Sequence, residues 1–236
     1  VADDAPTRRG VPTARAMYSP TTAVLLGDFW LSRAMNLIID HPDKRVLHIF
    51  SKCLGDLAEG EMLQLEKARR ADATEADYRR IIYSKTASLF ESAIVSAAYS
   101  VEADAAETEA CRSYARHIGQ AFQMMDDILD YSGDGELGKP VGIDLREKKI
   151  TLPLLCAMKD SSREAEIRKS VLEIDAHPEN CEEIRKFVAQ RAGVEAAGAV
   201  LQSFVDKAVG ALEAFPKSRY TEALAEIARY NIVRTR

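Results

Sequence analysis

Apolar residues recur every three to four positions along most of this chain, the spacing of helices with one packed face. Ser19-Pro20 offers an N-cap with proline at the first helical position and predicts a helix to about residue 39, closed by His41-Pro42. A second helix is predicted over about 43–69. Thr74-Glu75-Ala76-Asp77 resembles a capping box with Asp in the usual Glu place. It opens a long helix to about residue 100, and another is predicted over about 105–131. The period lapses over 132–149, a stretch holding Gly133, Gly135, Gly138 and Gly142. Irregular stretches of that length are uncommon and are usually functional. Shorter helices are predicted over about 151–159, 163–174, 179–191, 194–215 and 220–233. With no strand-type alternation of any length, no repeat and no linker, the pattern predicts an all-α, single-domain helical bundle spanning residues 1–236.

Composition narrows the class of protein. The 236 residues are 47% hydrophobic, enough for one sizeable core. A net charge of −5 from well-mixed charges excludes a nucleic-acid-binding basic block. None of the four cysteines stands in a C-x-x-C pair, which favours free thiols and a reducing compartment. The longest apolar runs, 22–26 and 94–99, fall short of a membrane span. Val1-Ala2-Asp3-Asp4 lacks the basic start and apolar stretch of a signal peptide. A soluble, cytoplasmic protein without a transmembrane segment is expected.

Four groups of residues carry candidate chemistry. In Gln123-Met124-Met125-Asp126-Asp127-Ile128-Leu129-Asp130, Asp126 and Asp130 share a helix face, Asp127 flanks it, and Gln123 lies one turn earlier. Three carboxylates near a helix C-terminus repel one another and meet the negative end of the dipole. Either a hard divalent cation such as Mg²⁺ relieves that cost, or water does at an exposed helix end. Lys85-Thr86 lies on the preceding helix, about 16 residues or roughly 24 Å from a turn near 102–104. Asp126 lies about 22 residues or roughly 33 Å beyond the same turn, so cation, hydroxyl and carboxylates sit toward one end of a helical hairpin. Lys139 and Lys149 follow in the glycine-rich stretch, where flexible lysines suit phosphate oxygens as well as solvent. Asp3, Asp4, Arg8, Arg9 and Gly10 open the chain, and paired arginines suit bidentate phosphate recognition as well as ordinary surface charge.

In this order the motifs resemble those of the trans-isoprenyl diphosphate synthases, including their polyprenyl members. Phe122 to Asp130 reads F-Q-x-x-D-D-x-x-D, similar to that family's second Asp-rich motif. Gly138-Lys139-Pro140 and the run from Asp144 to Pro153 are similar to the segment that follows it. Lys85-Thr86, Gly27-Asp28-Phe29 and the stretch from Glu59-Gly60-Glu61 to Gln64 also match. The resemblance implies an isoprenoid-synthase bundle with a central cavity. It also implies a homodimer and a reaction between an allylic diphosphate and isopentenyl diphosphate. Mg²⁺ would be held by Asp3, Asp126, Asp127 and Asp130. Arg8, Arg9, Lys85, Lys139 and Lys149 would bind substrate, with Lys85, Thr86, Gln123 and Lys139 at the reacting groups. Asp3 stands where the last Asp of the first Asp-rich motif belongs. Its first two aspartates and the helices before them would precede Val1, so the sequence is expected to be N-terminally incomplete.

Leu89, Ser92 and Ser96 continue at helical spacing from Lys85. Small residues there leave room for a medium- or long-chain product, or serve close helix packing. A lipid product could pass to a membrane. Tyr18, Trp30, Tyr114 and Tyr131 are expected to pack, and the helices after about residue 163 to act as scaffold. The rival from another class is a non-catalytic regulatory subunit of a heteromeric synthase, but such a subunit should have lost its aspartates or lysines. A class I terpene cyclase would need a second metal motif after Thr151, and none is present.

Overall fold

Two compact units, residues 1–48 and 49–236, make up the computed structural model, which describes residues 6–8, 10–132 and 142–234. In the first unit Thr7–Arg8 (β1) pairs antiparallel with Val11–Pro12 (β2), Thr7 opposite Pro12. The periodicity missed this hairpin because strands of two residues are too short to show alternation. Ala14–Met17 (α1) follows, then Pro20–Ile39 (α2). The α2 start is as predicted: Thr22 N donates to Ser19 Oγ at 3.0 Å, with proline in the first turn.

No residue of α2 is buried, and Leu25, Phe29, Trp30 and Leu37 are exposed. Tyr18 and Trp30, expected as packing residues, stand exposed, whereas Tyr114 and Tyr131 of the second unit are buried. By length and composition α2 could also cross a membrane. This amends the expectation drawn from uninterrupted apolar runs. Asp28 and Arg33 break those runs but leave the mean hydropathy of the helix high.

The helix Lys44–Arg70 (α3) carries Gly60, Glu61, Gln64 and Lys67 in the second unit. The capping box opens Glu75–Ile82 (α4): Asp77 N donates to Thr74 Oγ1 at 3.2 Å, and Thr74 N to Asp77 Oδ2 at 3.0 Å. The single helix predicted from there to residue 100 is instead α4, one π-helical turn at Tyr83–Ala87, and Ser88–Ser100 (α5). A one-residue widening of a helix leaves its apolar period nearly intact, so the pattern did not show it.

After the turn at 101–104, Ala105–Ser132 (α6) forms the spine of the unit. It buries adjacent pairs turn after turn, among them Tyr114 with Ala115, Ile118 with Gly119, and Met124 with Met125. A buried arc that wide suits a helix packed on several sides, and α6 touches α5 and later helices. Ile143–Arg146 (α7), Leu152–Met158 (α8), Glu164–Leu172 (α9), Asn180–Gln190 (α10), Gly193–Ala211 (α11) and Arg219–Val233 (α12) complete the unit. One apolar core joins α6 to α4, α8, α11 and α12 through Tyr78, Met124, Leu152, Leu201 and Ala228. A second, built on Leu154, Val171, Ile184 and Phe187, holds α8, α9 and α10 together. These cores fix the last third of α6, where the aspartates lie.

Candidate active site

Lys85 and Thr86 project from the π-turn rather than from a regular helix. Such turns interrupt the backbone ladder and are frequent at functional sites. Here the turn is gripped on two sides by glycines. A Cβ on Gly60 of α3 would lie 2.8 Å from Ser84 Cβ and 2.9 Å from Lys85 N, and one on Gly119 of α6 would lie 2.6 Å from Ala87 Cα. Only the missing side chains allow the backbones so close. Tyr83, at the start of the turn, donates to Glu91 at 3.0 Å. Lys85 Nζ sits 2.9 Å from Glu61 Oε2 and donates to Gln64 Oε1 at 3.3 Å. The stretch from Glu59 to Gln64 therefore orients the site lysine.

The aspartates of α6 have three different environments. Asp126 is partly exposed and pairs with Arg234 at 2.8 Å. The Arg234 guanidinium also lies 4.0 Å above the Phe122 ring and donates to the Phe122 carbonyl. Asp127 is buried; one oxygen accepts from Tyr78 Oη at 2.6 Å and the other from Gln123 Nε2 at 2.9 Å. Asp130 accepts from the backbone N–H groups of Ile143 and Asp144, both at 3.1 Å, and so holds the start of α7 against the end of α6. Thr86 Oγ1 meets Gln123 Oε1 at 2.8 Å, which links the π-turn to the aspartate helix. Lys149 pairs with Glu147 and lies 3.8 Å from Asp144.

Lys85, Gln123, Asp127, Asp144 and Lys149 line one small cavity, with Tyr78, Lys67 and the apolar side chains of Ile81, Ile82 and Ile150 on its wall. Its three lysines each pair with a carboxylate, Lys67 with Asp77, Lys85 with Glu61 and Lys149 with Glu147. Burial, then the neighbouring Asp144, lifts Asp127 to about 8. Burial, then Asp130, lifts Asp144 to about 6. Asp130 is raised as well, chiefly by burial, despite the N–H groups it accepts. Among the described residues no three His, Cys, Asp or Glu side chains converge as a complete metal cage. Crowded hard-oxygen donors with raised pKa values instead suit a hard divalent cation that completes its shell with water and substrate oxygens. The donor set fits Mg²⁺ on those terms.

Asp3, Arg9 and Lys139 lie outside the described residues, as does the side chain of Arg8. Lys85, Thr86, Gln123, Asp126, Asp127, Asp130 and Lys149 all belong to this end of the bundle. Along the series from Lys85 through Leu89, Ser92 and Ser96, Leu89 is exposed and Ser92 is buried. Three participants were not foreseen. Tyr78 lies two turns before Lys85 and reads as an ordinary apolar position. Asp144 sits within a recognised segment but carried no assigned role. Arg234 follows a helix read as scaffold, and no local pattern announces a contact between residues so far apart.

In the second unit an all-α bundle brings carboxylates and lysines together at one small cavity. The polyprenyl synthetase family model matches residues 1–190. The chain is 37% identical to octaprenyl diphosphate synthase of Haemophilus influenzae over 99% of its own length and 72% of that enzyme's. It is 38% identical to an all-trans-nonaprenyl-diphosphate synthase of Rhodobacter capsulatus, over 97% of this chain and 70% of that one. Among solved structures it superposes with a TM-score of 0.90 on a polyprenyl synthase from Caulobacter crescentus complexed with calcium and isoprenyl diphosphate. That match has 35% identity and covers 100% of this chain and 73% of the other. The chain belongs to the polyprenyl synthetase family.

Proposed function

We propose that this protein transfers the allylic group of a prenyl diphosphate to isopentenyl diphosphate, head to tail, with Mg²⁺ as cofactor, and builds a medium- or long-chain all-trans polyprenyl diphosphate. The observation that carries the reading is the crowding of carboxylates at the end of α6, with Asp127 buried and both Asp127 and Asp144 raised in pKa, set beside Lys85 and Thr86 of the π-turn. Mg²⁺ supplies Lewis acidity, drawing charge from the diphosphate oxygens and making diphosphate a better leaving group. Asp126, Asp130 and Asp3 would hold it. Lys85 exchanges Glu61 for a diphosphate oxygen, and Arg8, Lys139 and Lys149 add positive charge where the leaving group becomes more negative. Arg9 serves isopentenyl diphosphate.

The allylic C–O bond breaks and its electron pair leaves with the diphosphate. The double bond of isopentenyl diphosphate provides the pair for the new C–C bond, and a proton passes to the released diphosphate. Thr86 and Gln123 lie beside the positive charge as it forms, and the bundle must exclude water that would quench it. Asp127, grouped by sequence with the metal ligands, spends both oxygens on Tyr78 and Gln123 and acts as an orienting group. Because the acidic groups and Lys85 are all present, the catalytic reading is preferred to the regulatory-subunit reading.

The whole chain serves as one synthase domain, and the exposed apolar residues of α2 suit the interface of a homodimer. Four free cysteines accord with the reducing cytoplasm. The test supplies the full natural chain with Mg²⁺, farnesyl diphosphate and radiolabelled isopentenyl diphosphate, and sizes the products by chromatography. One extended polyprenyl product is expected. Diphosphate binding without incorporation would overturn the catalytic reading in favour of the regulatory one.

A further inference from the structure

In an α-helix each N–H donates to the carbonyl four residues back, and a π-turn breaks that rule. In the turn at Tyr83–Ala87 the break falls on Ser88, whose N–H is directed at the Tyr83 carbonyl, five residues back. Ser84 O, the acceptor that Ser88 N would have in an α-helix, loses that donor. Ser84 is buried, and a buried carbonyl without a donor is costly. The Ser88 hydroxyl takes the vacated place, with Oγ 2.7 Å from Ser84 O. A carbonyl oxygen only accepts, so Ser88 is the donor. The Cys53 thiol of α3 donates in turn to Ser88 Oγ at 3.7 Å. Serines often bond back to a carbonyl four residues earlier in a helix. Here the bond serves a carbonyl that the backbone ladder has released. The peptide between Ser84 and Lys85 is thus held at both ends, by Ser88 at its oxygen and by the bare face of Gly60 at its nitrogen.

We propose that Ser88 is a positioning residue for Lys85: its hydroxyl keeps the peptide before the lysine in the π conformation that aims the ammonium group into the cavity. This rests on the prenyl-transfer reading above, in which Lys85 meets the allylic diphosphate. Lys85 reaches Glu61 and Gln64 on α3, whereas the next residue, Thr86, reaches Gln123 on α6. Two consecutive residues therefore serve different neighbouring helices, and the widened turn sets the angle between them. Without the Ser88 hydroxyl, the backbone recovers its missing bond by turning Ser88 N back to Ser84 O. That change moves the extra residue along the helix and rotates Lys85 relative to α3. Ser88 is 3% exposed and acts only through the peptide that precedes Lys85. The effect falls on the allylic diphosphate that Lys85 binds, and not on isopentenyl diphosphate, which Arg9 serves.

The experiment is a double-mutant cycle on the full natural chain, with Ser88→Ala, Lys85→Met and the double variant, reading both KM values and amide hydrogen exchange over residues 83–89. Ser88→Ala removes only the hydroxyl. It should raise the KM for the allylic diphosphate by about tenfold, the scale of one hydrogen bond, and speed exchange in the turn. The KM for isopentenyl diphosphate should stay unchanged. In the Lys85→Met background the same change should raise the allylic KM no further, because the group it positions is gone. Cys53→Ala disturbs the same packing but leaves the bond between Ser88 and Ser84, so it should lower the melting temperature and leave both KM values in place. Equal rises in both KM values, a rise that persists without Lys85, an equal rise in Cys53→Ala, or faster exchange with an unchanged allylic KM would each overturn the proposal. Thermal melting of each variant sets a temperature at which all are folded. If the unmodified protein itself transfers no prenyl group, the functional reading fails instead, and the two failures are thereby distinguished.

Discussion

Glu91 and Asp127 are both buried carboxylates, on the neighbouring helices α5 and α6, yet the chain treats them in opposite ways. Burial works to raise Glu91, but the guanidinium groups of Arg116 and Arg112 and the Tyr83 hydroxyl outweigh it and hold it below the usual range. Arg116 Nε lies at 2.6 Å and Tyr83 Oη at 3.0 Å. Asp127 receives only neutral donors and faces Asp144, so burial prevails and lifts it to about 8. A charge that only braces the fold is neutralised on the spot. At Asp127 the hydrogen-bond donors are the neutral Tyr78 hydroxyl and Gln123 amide, and the charge itself is suppressed. The two arrangements meet at the π-turn, which Glu91 steadies through Tyr83 and Asp127 steadies through Gln123 and Thr86.

Breaking each side separately tests that contrast. The largest effect is expected at the site: Asp130→Asn should lower kcat/KM by about 10²–10³-fold, and the metal-free melting temperature should fall slightly, since the amide keeps one of the two oxygens that accept from Ile143 N and Asp144 N. Turnover close to that of the unmodified enzyme would remove Asp130 from the cation's ligands.

The pH dependence of stability should also separate the two carboxylates. Asp127 rises from an ordinary 3.8 to about 8, so the native protein keeps a proton that the unfolded chain releases. That stabilisation is complete below pH 3.8 and is lost as pH climbs to about 8; Asp144, raised to about 6, adds a decline of the same sign. Glu91 is lowered, so its contribution is present above its unfolded value and is lost as pH falls through the native one. Melting curves of metal-free protein should therefore flatten at neutral pH in Asp127→Asn and at acid pH in Glu91→Gln. Identical profiles for the two variants would contradict the contrast.

A smaller effect is expected from Glu91→Gln in urea unfolding, about 2–3 kcal/mol, since Arg116 keeps access to water and Arg112 much less. Its kcat should stay within a few-fold of normal, measured where both proteins are folded. The smallest loss is expected from Gly60→Ala, about 1–2 kcal/mol for a Cβ forced against Ser84 and the Lys85 backbone. Its distinguishing sign is a raised KM for the allylic diphosphate, because the turn that carries Lys85 is displaced. An unchanged KM would mean that the glycine contact only packs helices.

Local rules account for most of the fold and part of the site. The 3.6-residue period, the Ser19-Pro20 start and the Thr74–Asp77 capping box act over a few residues, so the sequence alone established the helical series and its main boundaries. The acidic cluster and Lys85-Thr86 were legible for the same reason, each being a short motif. Tertiary structure decided what those rules do not encode. The π-turn exists because two glycines from other helices admit it. Asp127 departs from Asp126 because it is buried and bonded to the side chains of Tyr78 and Gln123, whereas Asp126 is partly exposed and pairs with Arg234. Arg234 reaches Asp126 across more than a hundred residues of chain. The acidic cluster and the Lys85-Thr86 pair were written in neighbouring letters; that Tyr78, Asp144 and Arg234 join them, and which groups lie buried or charged, depends on dielectric and contact, and only packing sets those.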